Sequence, residues 1–284
     1  GGITNSGAIY VYEPDGSGGY AETRIVALDV YPDDRFGYSL DINDNGTIVA
    51  GAYNNDDAGA NSGSAYVFVP DGAGGYTQYK LTAPDAAAAD KFGISVSINS
   101  DGVVSIGAQA GDGAVADTGA VYTFVPNGDG DYVGYDGTIY TGVPLDGSAS
   151  NPVTPDSITA NKFTASDGAF ADYFGASTAI NDHGVVLVGA PLNDDPGANS
   201  GYIYLYRPDG SGGYSEQILN ASIPIAGVQY GYSVALNNSE VAVVGSFDRN
   251  QVHVYQPDGN GGHFETKLLP AGTLYSDLFG HSVA

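Results

Sequence analysis

Short runs of alternating apolar and polar residues, separated by polar turns, are the most regular feature of the chain. Residues 36–91 show the pattern well, because their apolar positions alternate or form β-branched stretches typical of β-strands. The segment 43–46, Asn-Asp-Asn-Gly, predicts a hairpin turn of the primed type, since Asn and Gly tolerate positive φ. Four antiparallel strands are therefore predicted here, at 38–42, 47–52, 64–69 and 76–81.

The same pattern recurs along the chain with a fixed period. A Pro-Asp/Asn-Gly-x-Gly motif and a Phe-Gly or Tyr-Gly motif alternate in units of 56 residues, with 26 residues inserted in the second unit and seven deleted from the fourth. A period of this length predicts that each unit is one supersecondary structure. The prolines are Pro14, Pro70, Pro126, Pro208 and Pro257, and the aromatic residues are Phe36, Phe92, Phe174, Tyr230 and Phe279.

Four antiparallel strands repeated in this way predict an all-β fold, a β-propeller built from four-stranded blades. A linear β-solenoid is the alternative, but its coils are typically shorter and its strands parallel. We expect a single propeller domain over 1–284, with about five repeats. The units are 36–91, 92–173 with the insertion at 134–157, 174–229, 230–278, and a fifth blade split between 279–284 and 1–35.

The split fifth blade lacks the residues that would form its second strand and part of the following loop. A missing strand leaves a sheet edge unpaired. Three explanations stay open at this point. The chain is a fragment of a longer protein with more blades, it is an incomplete five-bladed ring, or a neighbouring subunit donates the strand and builds a polymer.

The third unit carries the motifs of a known family. Phe174-Gly175 is followed by Gly189-Ala190-Pro191, by the acidic loop around Asp194, and by Ser200-Gly201. This order resembles the FG-GAP repeat, and the five copies extend the resemblance to nearly the whole chain. The resemblance implies a propeller like the integrin α-subunit head, which usually has seven blades, is usually extracellular, often binds calcium, and serves in adhesion or ligand binding.

One feature departs from the integrin pattern. Integrin-type repeats place a calcium loop of the form Asp-x-Asp-x-Asp-Gly between the first two strands, whereas the present chain has tight hairpins there. These hairpins supply too few oxygens for an ion that takes six to eight ligands. We therefore do not transfer the integrin calcium site, and the chain looks closer to the bacterial form of the repeat. The four hairpins are 43–46, 99–102, 181–184 and 237–240.

Composition narrows the classes of partner. With 33 acidic and eight basic residues, the formal net charge is −25, which disfavours nucleic acid and anionic membranes as partners. The absence of cysteine excludes disulfides, thiolate zinc sites and cysteine nucleophiles. No apolar run is long enough to predict a membrane span.

Acidic residues cluster in the loops between the second and third strands, and we expect these loops to share one rim with the loops between blades. Calcium bridged by their oxygens is the tentative cofactor prediction. The alternative is that the Asp and Asn side chains cap their own turns without a metal. The predicted metal ligands are Asp56, Asp57, Asn61, Asp112, Asp117, Asp194, Asp195 and Asn199. The neighbouring inter-blade acids are Asp33, Asp34, Asp85, Asp90, Asp167 and Asp172.

The insertion at 134–157 is the second candidate site. Long loops on rigid scaffolds often carry recognition, so Tyr135, Asp136 and Tyr140 are predicted ligand-binding residues. The alternative is a tolerated surface excursion without a role.

These observations predict an extracellular binding or adhesion module without catalysis, whose partner is a protein or glycan on a surface, or copies of itself. No nucleophile elbow, phosphate loop or His-Glu-x-x-His motif occurs. The first alternative is a structural subunit of an extracellular filament or surface layer, assembled by strand complementation at the incomplete blade. The second is a polysaccharide-acting enzyme, since carboxylate pairs are abundant.

Overall fold

All the regular structure of the described residues is β-sheet, with antiparallel pairing between neighbouring strands. The computed structural model describes residues 5–113, 116–145, 160–195, 197–222, 224–247, 250–272 and 278–284. Four sheets each contain four strands in sequence order, so we number them as blades 1 to 4. A two-stranded sheet, called the partial sheet, precedes blade 1.

The bounds of the strands are as follows. The partial sheet consists of β1 (Ile9–Pro14) and β2 (Tyr20–Ile25). Blade 1 consists of β3 (Leu40–Ile42), β4 (Ile48–Ala52), β5 (Ser64–Pro70) and β6 (Tyr76–Leu81). Blade 2 consists of β7 (Phe92–Ile98), β8 (Val104–Ala108), β9 (Ala120–Pro126) and β10 (Tyr132–Val133), to which β11 (Ile139–Tyr140) and β13 (Lys162–Phe163) are added. Blade 3 consists of β14 (Ser177–Ile180), β15 (Val186–Ala190), β16 (Tyr202–Pro208) and β17 (Tyr214–Leu219). Blade 4 consists of β18 (Tyr230–Leu236), β19 (Ala242–Ser246), β20 (Gln251–Pro257) and β21 (His263–Leu268).

The four strands predicted for the first unit are confirmed to within two residues. The hairpin between the first two differs from the prediction in its turn type. Gly46 has a φ of 78° and donates to the Asn43 carbonyl oxygen at 2.9 Å, while Asn45 is not among the residues with positive φ. The loop therefore has three residues and ends in a left-handed glycine, because either primed turn would need positive φ at its first central position, here Asn45.

The hydrophobic core lies between the blades. One apolar cluster joins the partial sheet to blade 1, and three more join blades 1 and 2, blades 2 and 3, and blades 3 and 4. Four of the five motif aromatics, Phe36, Phe92, Phe174 and Tyr230, are buried in these clusters, whereas Phe279 is 36% exposed. Phe92, for example, packs edge-on against Tyr122 and Phe124 of its own blade. Each blade is thus stabilised mainly by its neighbours.

The glycine and serine positions of the repeat hold adjacent blades together. Ser39 Oγ donates to the carbonyl oxygen of Gly93 in the next blade at 2.9 Å. A Cβ on Gly51 would lie only 1.9 Å from the same oxygen. Close backbone approach therefore requires glycine in the second strand. The equivalent bonds run from Ser95 to Gly175, from Ser177 to Gly231 and from Ser233 to Gly280.

The hairpins that replace integrin calcium loops form a chain of asparagines from blade to blade. Asn99 is buried, and its Nδ2 donates to the Asn181 carbonyl oxygen at 3.2 Å. Its Oδ1 accepts the backbone N–H groups of Asp101 and Val103 in its own hairpin. Asn43 and Asn181 make the same contacts with the hairpins of blades 2 and 4, so these asparagines serve the contact between blades.

The two parts of the predicted split blade occupy opposite ends of the row of blades. Phe36 N donates to the Ser6 carbonyl oxygen at 3.0 Å, which places the partial sheet before blade 1. Gly280 accepts the hydrogen bond from Ser233, which places 278–284 after blade 4. Among the described residues, no strand pairing joins these two ends. A split blade and a total of five blades therefore remain predictions.

The insertion divides the fourth strand of blade 2 into two parts. β10 pairs with the C-terminal end of β9, and β13 pairs with its N-terminal half, where Phe163 lies opposite Val121. Between them, β11 extends blade 2, and β12 (Val143–Pro144) pairs with β6 of blade 1. The described part of the insertion therefore covers the outer edges of two neighbouring blades. The part at 146–157 lies outside the described residues.

Candidate functional site

The acidic loops predicted to share one rim lie side by side. In blade 1, the loop after β4 and the loop after β6 are joined by backbone hydrogen bonds, including Ala89 N to Ala60 O at 2.8 Å and Lys91 N to Asn61 O at 3.1 Å. Blade 2 repeats the contact, since Ala171 N donates to Asp117 O at 3.0 Å. We call the surface formed by these loops of blades 1 to 3 the loop face.

Six of the eight predicted metal ligands take part in capping their own loops. Asp56 Oδ1 accepts the N–H of Asn61 at 2.7 Å, and Asp194 Oδ1 accepts the N–H of Asn199 at 2.8 Å. Asp112 and Asp117 repeat the arrangement at 3.2 Å. In each pair the second residue has positive φ, between 50° and 57°. The carboxylate holds this backbone turn, which is the metal-free alternative raised by the sequence.

The remaining two predicted ligands have other partners. Asp57 forms an ion pair with Lys80, and its N–H donates to Asn55 Oδ1. Asp195 N likewise donates to Asn193 Oδ1 at 2.9 Å. No group of three His, Asp or Glu side chains able to hold a metal ion occurs within the described ranges. Calcium binding by the loop face stays a prediction.

Each of blades 1 to 3 has a buried carboxylate under its acidic loop, namely Asp34, Asp90 and Asp172. The sequence did not indicate the hydrogen-bond partners of these carboxylates. Asp172 is 3% exposed and accepts the Ala169 N–H at 2.8 Å and an Nδ2 hydrogen of buried Asn193 at 3.1 Å. Burial raises the pKa of Asp172, while these two donors lower it. Asp34 has the same arrangement with Asn55 in blade 1.

Blade 2 keeps the carboxylate but lacks the amide. Asp90 is 4% exposed and accepts the Ala87 N–H at 2.6 Å, yet Gly111 stands where blades 1 and 3 have asparagine. Burial raises the pKa of Asp90 to about 6, with a further contribution from the nearby negative charges of Asp112 and Asp85.

Two lysines neutralise part of the acidic face. Lys162 Nζ lies 2.5 Å from Asp85 Oδ2 and also donates to the Asp112 carbonyl oxygen at 2.7 Å. Asp85 Oδ1 accepts the hydroxyl of Tyr122, and the ammonium lies over the ring of that tyrosine. Lys80, Asp29 and Tyr66 form the corresponding group in blade 1. Each lysine lies just before the end of the fourth strand, a repeat position that could have drawn attention to it in the sequence.

The insertion adds two exposed residues next to this group. Tyr135 is 38% exposed, and its ring packs at 6.0 Å from the ring of Tyr122. Asp136 is exposed, and its Oδ1 accepts the Thr138 N–H, which fixes the turn. Partial burial and the charges of Asp85 and Asp136 raise the pKa of Tyr135, so its phenol stays neutral and can donate a hydrogen bond.

Tyr140, the third predicted ligand-binding residue, anchors the insertion instead of presenting a free surface. Its ring packs edge-on against Phe124 at 5.4 Å, and its hydroxyl donates to the Thr82 carbonyl oxygen at 2.8 Å. Leu145 N donates to Tyr76 O, which adds a second anchor to blade 1. The turn that carries Tyr135 and Asp136 is therefore held at both ends by packed structure.

No described helix of the chain is long and apolar enough to cross a bilayer. The curated proteins include none that matches the chain. Among solved structures, a protein from Lactobacillus plantarum is similar over 94% of this chain and 68% of its own, at 14% identity and a TM-score of 0.48. A catalytically inactive virginiamycin B lyase from Staphylococcus aureus, solved with quinupristin, is similar over 94% of this chain and 75% of its own, at 12% identity and a TM-score of 0.40.

The family comparison agrees with the repeat pattern of the chain. The FG-GAP repeat matches at residues 21–68, 77–124 and 159–206, which together make up about half of the sequence. Each match includes one Phe-Gly motif and the second and third strands that follow it. The chain belongs to the FG-GAP repeat family.

Proposed function

We propose that this chain is a non-catalytic extracellular binding module, and that it contacts a ligand on a surface through the turn of Tyr135 and Asp136. The observation that carries the proposal is the position of this turn. It is an exposed aromatic and acidic pair on an insertion that is paired by strands to two blades, and it lies against the group of Asp85, Tyr122 and Lys162.

The chemistry of the turn suits recognition. A tyrosine offers a large apolar face and a hydroxyl at little entropic cost, and the adjacent carboxylate accepts hydrogen bonds. Since both ends of the described insertion are anchored, little ordering of the turn is needed when a ligand binds. Glycan hydroxyls or the surface of a protein without excess negative charge fit these groups, because the net charge of −25 repels anionic partners.

The proposal is tested by coating beads with the chain and measuring retention on immobilised neutral polysaccharides, basic proteins and acidic proteins. We expect retention on at least one of the first two classes and none on acidic proteins. Tyr135→Ala should weaken that retention at least tenfold, the loss expected when a central aromatic contact of about 1.4 kcal/mol or more is removed.

Tyr20→Ala is the matched control, because Tyr20 is 68% exposed on the partial sheet. It should leave retention unchanged, and both variants should keep the melting temperature of the parent. Retention that Tyr135→Ala does not alter, or no retention on any surface, would contradict the proposal. Release of reducing ends from the same polysaccharides would show instead that the chain is an enzyme.

A further inference from the structure

The first strand of blade 1 is exposed where the equivalent strands of the other blades are covered. Leu40 and Ile42 of β3 are 53% and 55% exposed. The same repeat positions in blade 2, Val96 and Ile98, are 8% and 6% exposed. The side chains are apolar in both blades, so the difference lies in what packs against them.

In the other blades, the covering element is the second strand of the preceding blade. β4 packs on β7 of blade 2, β8 on β14 of blade 3, and β15 on β18 of blade 4. The unit before blade 1 is the partial sheet, whose strands β1 and β2 correspond to the third and fourth strands of a complete blade. Among the described residues, β1 pairs only with β2, so the edge on which a second strand would pair is open.

The open edge borders an apolar groove. Ile9 and Val11 of β1 face Leu40, Ile42 and Ile48 of blade 1 across a cavity of about 360 Å³. An unpaired strand edge beside an apolar groove offers main-chain hydrogen bonds and side-chain pockets together, which is the combination that strand addition uses.

We propose that the groove between β1 and β3 is an acceptor site for an extended β-strand with the sequence pattern of the repeat's own second strand. The occupant pairs antiparallel with β1, as β4 pairs with β5, and its inward side chains cover Leu40 and Ile42. The four second strands in the chain define the pattern, which is a β-branched apolar run ending in Gly-Ala or Gly-Ser, at 48–52, 104–108, 186–190 and 242–246.

The glycine of this pattern is a steric requirement. A Cβ on Gly107 or Gly189 would come to 2.0 Å from the carbonyl oxygen of the Phe-Gly glycine in the next blade. Gly37 is the equivalent glycine of blade 1, and its φ of 81° matches the 85° to 89° of its counterparts. A strand that enters the groove therefore passes Gly37 with its own glycine at that point.

The test uses a fluorescent peptide with the sequence of residues 183–191, added to the full chain and followed by anisotropy. We expect saturable binding of one peptide per chain and slower hydrogen exchange at the β1 amides. The control peptide carries Gly189→Val, and it should bind at least tenfold more weakly, because its added side chain meets the backbone at Gly37.

Variants of the chain test the acceptor. Leu40→Ser should weaken binding of the parent peptide at least tenfold while leaving the melting temperature within about 1 °C, because Leu40 is already half exposed. Phe264→Ser is the control, since Phe264 is 66% exposed on β21 of blade 4, and it should not change the affinity.

Three results would overturn the proposal. The first is no binding of the peptide up to millimolar concentration, and the second is binding that Leu40→Ser leaves unchanged. The third is a dimer in light scattering that Leu40→Ser converts to a monomer, because it would assign the groove to a second copy of the chain. None of these results bears on the ligand turn at Tyr135.

Discussion

Blades 2 and 3 differ at the loop face in the residue that lies next to the buried carboxylate. In blade 3, Asn193 donates to the buried carboxylate of Asp172, whereas blade 2 has Gly111 in the place of that asparagine. The backbone bond that closes the loop is present in both, at 2.9 Å for Gly119 N to Gly111 O and at 3.0 Å for Gly201 N in blade 3. The asparagine is therefore not needed for this closing bond, and its side-chain amide acts on the buried carboxylate, whose pKa it lowers.

The largest expected effect comes from making blade 3 like blade 2. Asn193→Gly removes three hydrogen bonds. The Asn193 amide donates to Asp172 and contacts the Tyr204 hydroxyl, both buried, and its Oδ1 accepts the partly buried Asp195 N–H. We expect the free energy of unfolding to fall by about 3 kcal/mol at pH 8. Urea unfolding at pH 8 and pH 5 measures it.

The pH dependence of Asn193→Gly identifies the cause. Without the Asn193 amide, the pKa of Asp172 rises further. The substitution should therefore lower the free energy of unfolding more at pH 8 than at pH 5. Asn260→Gly, at an exposed turn, is the control and should cost less than about 1 kcal/mol at either pH. An equal loss at both values of pH would show that lost packing, and not charge, explains the asparagine.

A smaller effect of opposite sign is expected in blade 2. The pKa of Asp90 is raised to about 6 in the folded chain, so between its unfolded value and about 6 the folded state binds more protons than the unfolded state. Stability from this group therefore falls as pH rises through that window. Asp90→Asn removes the charge, and we expect it to raise the free energy of unfolding by about 1–2 kcal/mol at pH 8 and by little at pH 4.

The neighbours of Asp90 support the sign of this prediction. An asparagine would keep an acceptor for the Ala87 N–H and turn its amide hydrogens toward the negative charges of Asp85 and Asp112. Gly111→Asn, which supplies the missing donor and leaves Asp90 in place, should flatten the same pH dependence. Asp90→Asn that destabilises the chain at pH 8 would refute the assignment of a costly buried charge.

Local sequence signals were enough to predict the strands and turns. Alternation places the strands of the first unit within two residues, and the Pro-Asp-Gly motif at Pro70 forms the turn between β5 and β6, where Asp71 Oδ1 accepts the N–H groups of Ala73 and Gly75. Phe36, Phe92, Phe174 and Tyr230 lie buried between blades, because a unit of this repeat can bury its apolar face only against its neighbour.

Contacts between distant segments could not be predicted. The return of Lys162 and Phe163 to complete the fourth strand of blade 2 joins residues separated by the whole insertion, and no local pattern encodes that pairing. For the same reason the sequence showed an acidic rim but not the two lysines that neutralise part of it. The asparagine chain between hairpins also escaped prediction, since its acceptors are in other blades.

The smallest expected effect is the change in melting temperature when calcium is added. It tests the acidic loops of blades 1 and 3 against that of blade 2. The sequence predicts a metal on this face, but Asp56, Asp112 and Asp194 already cap their loops and Asp57 is paired with Lys80. An ion would have to replace these bonds, so we expect 2 mM calcium to move the melting temperature by less than about 1 °C relative to EDTA at matched ionic strength. Magnesium is the control. A rise of several degrees with calcium alone would restore the predicted metal site, and its loss in Asp194→Asn but not in Asp112→Asn would place it in blade 3.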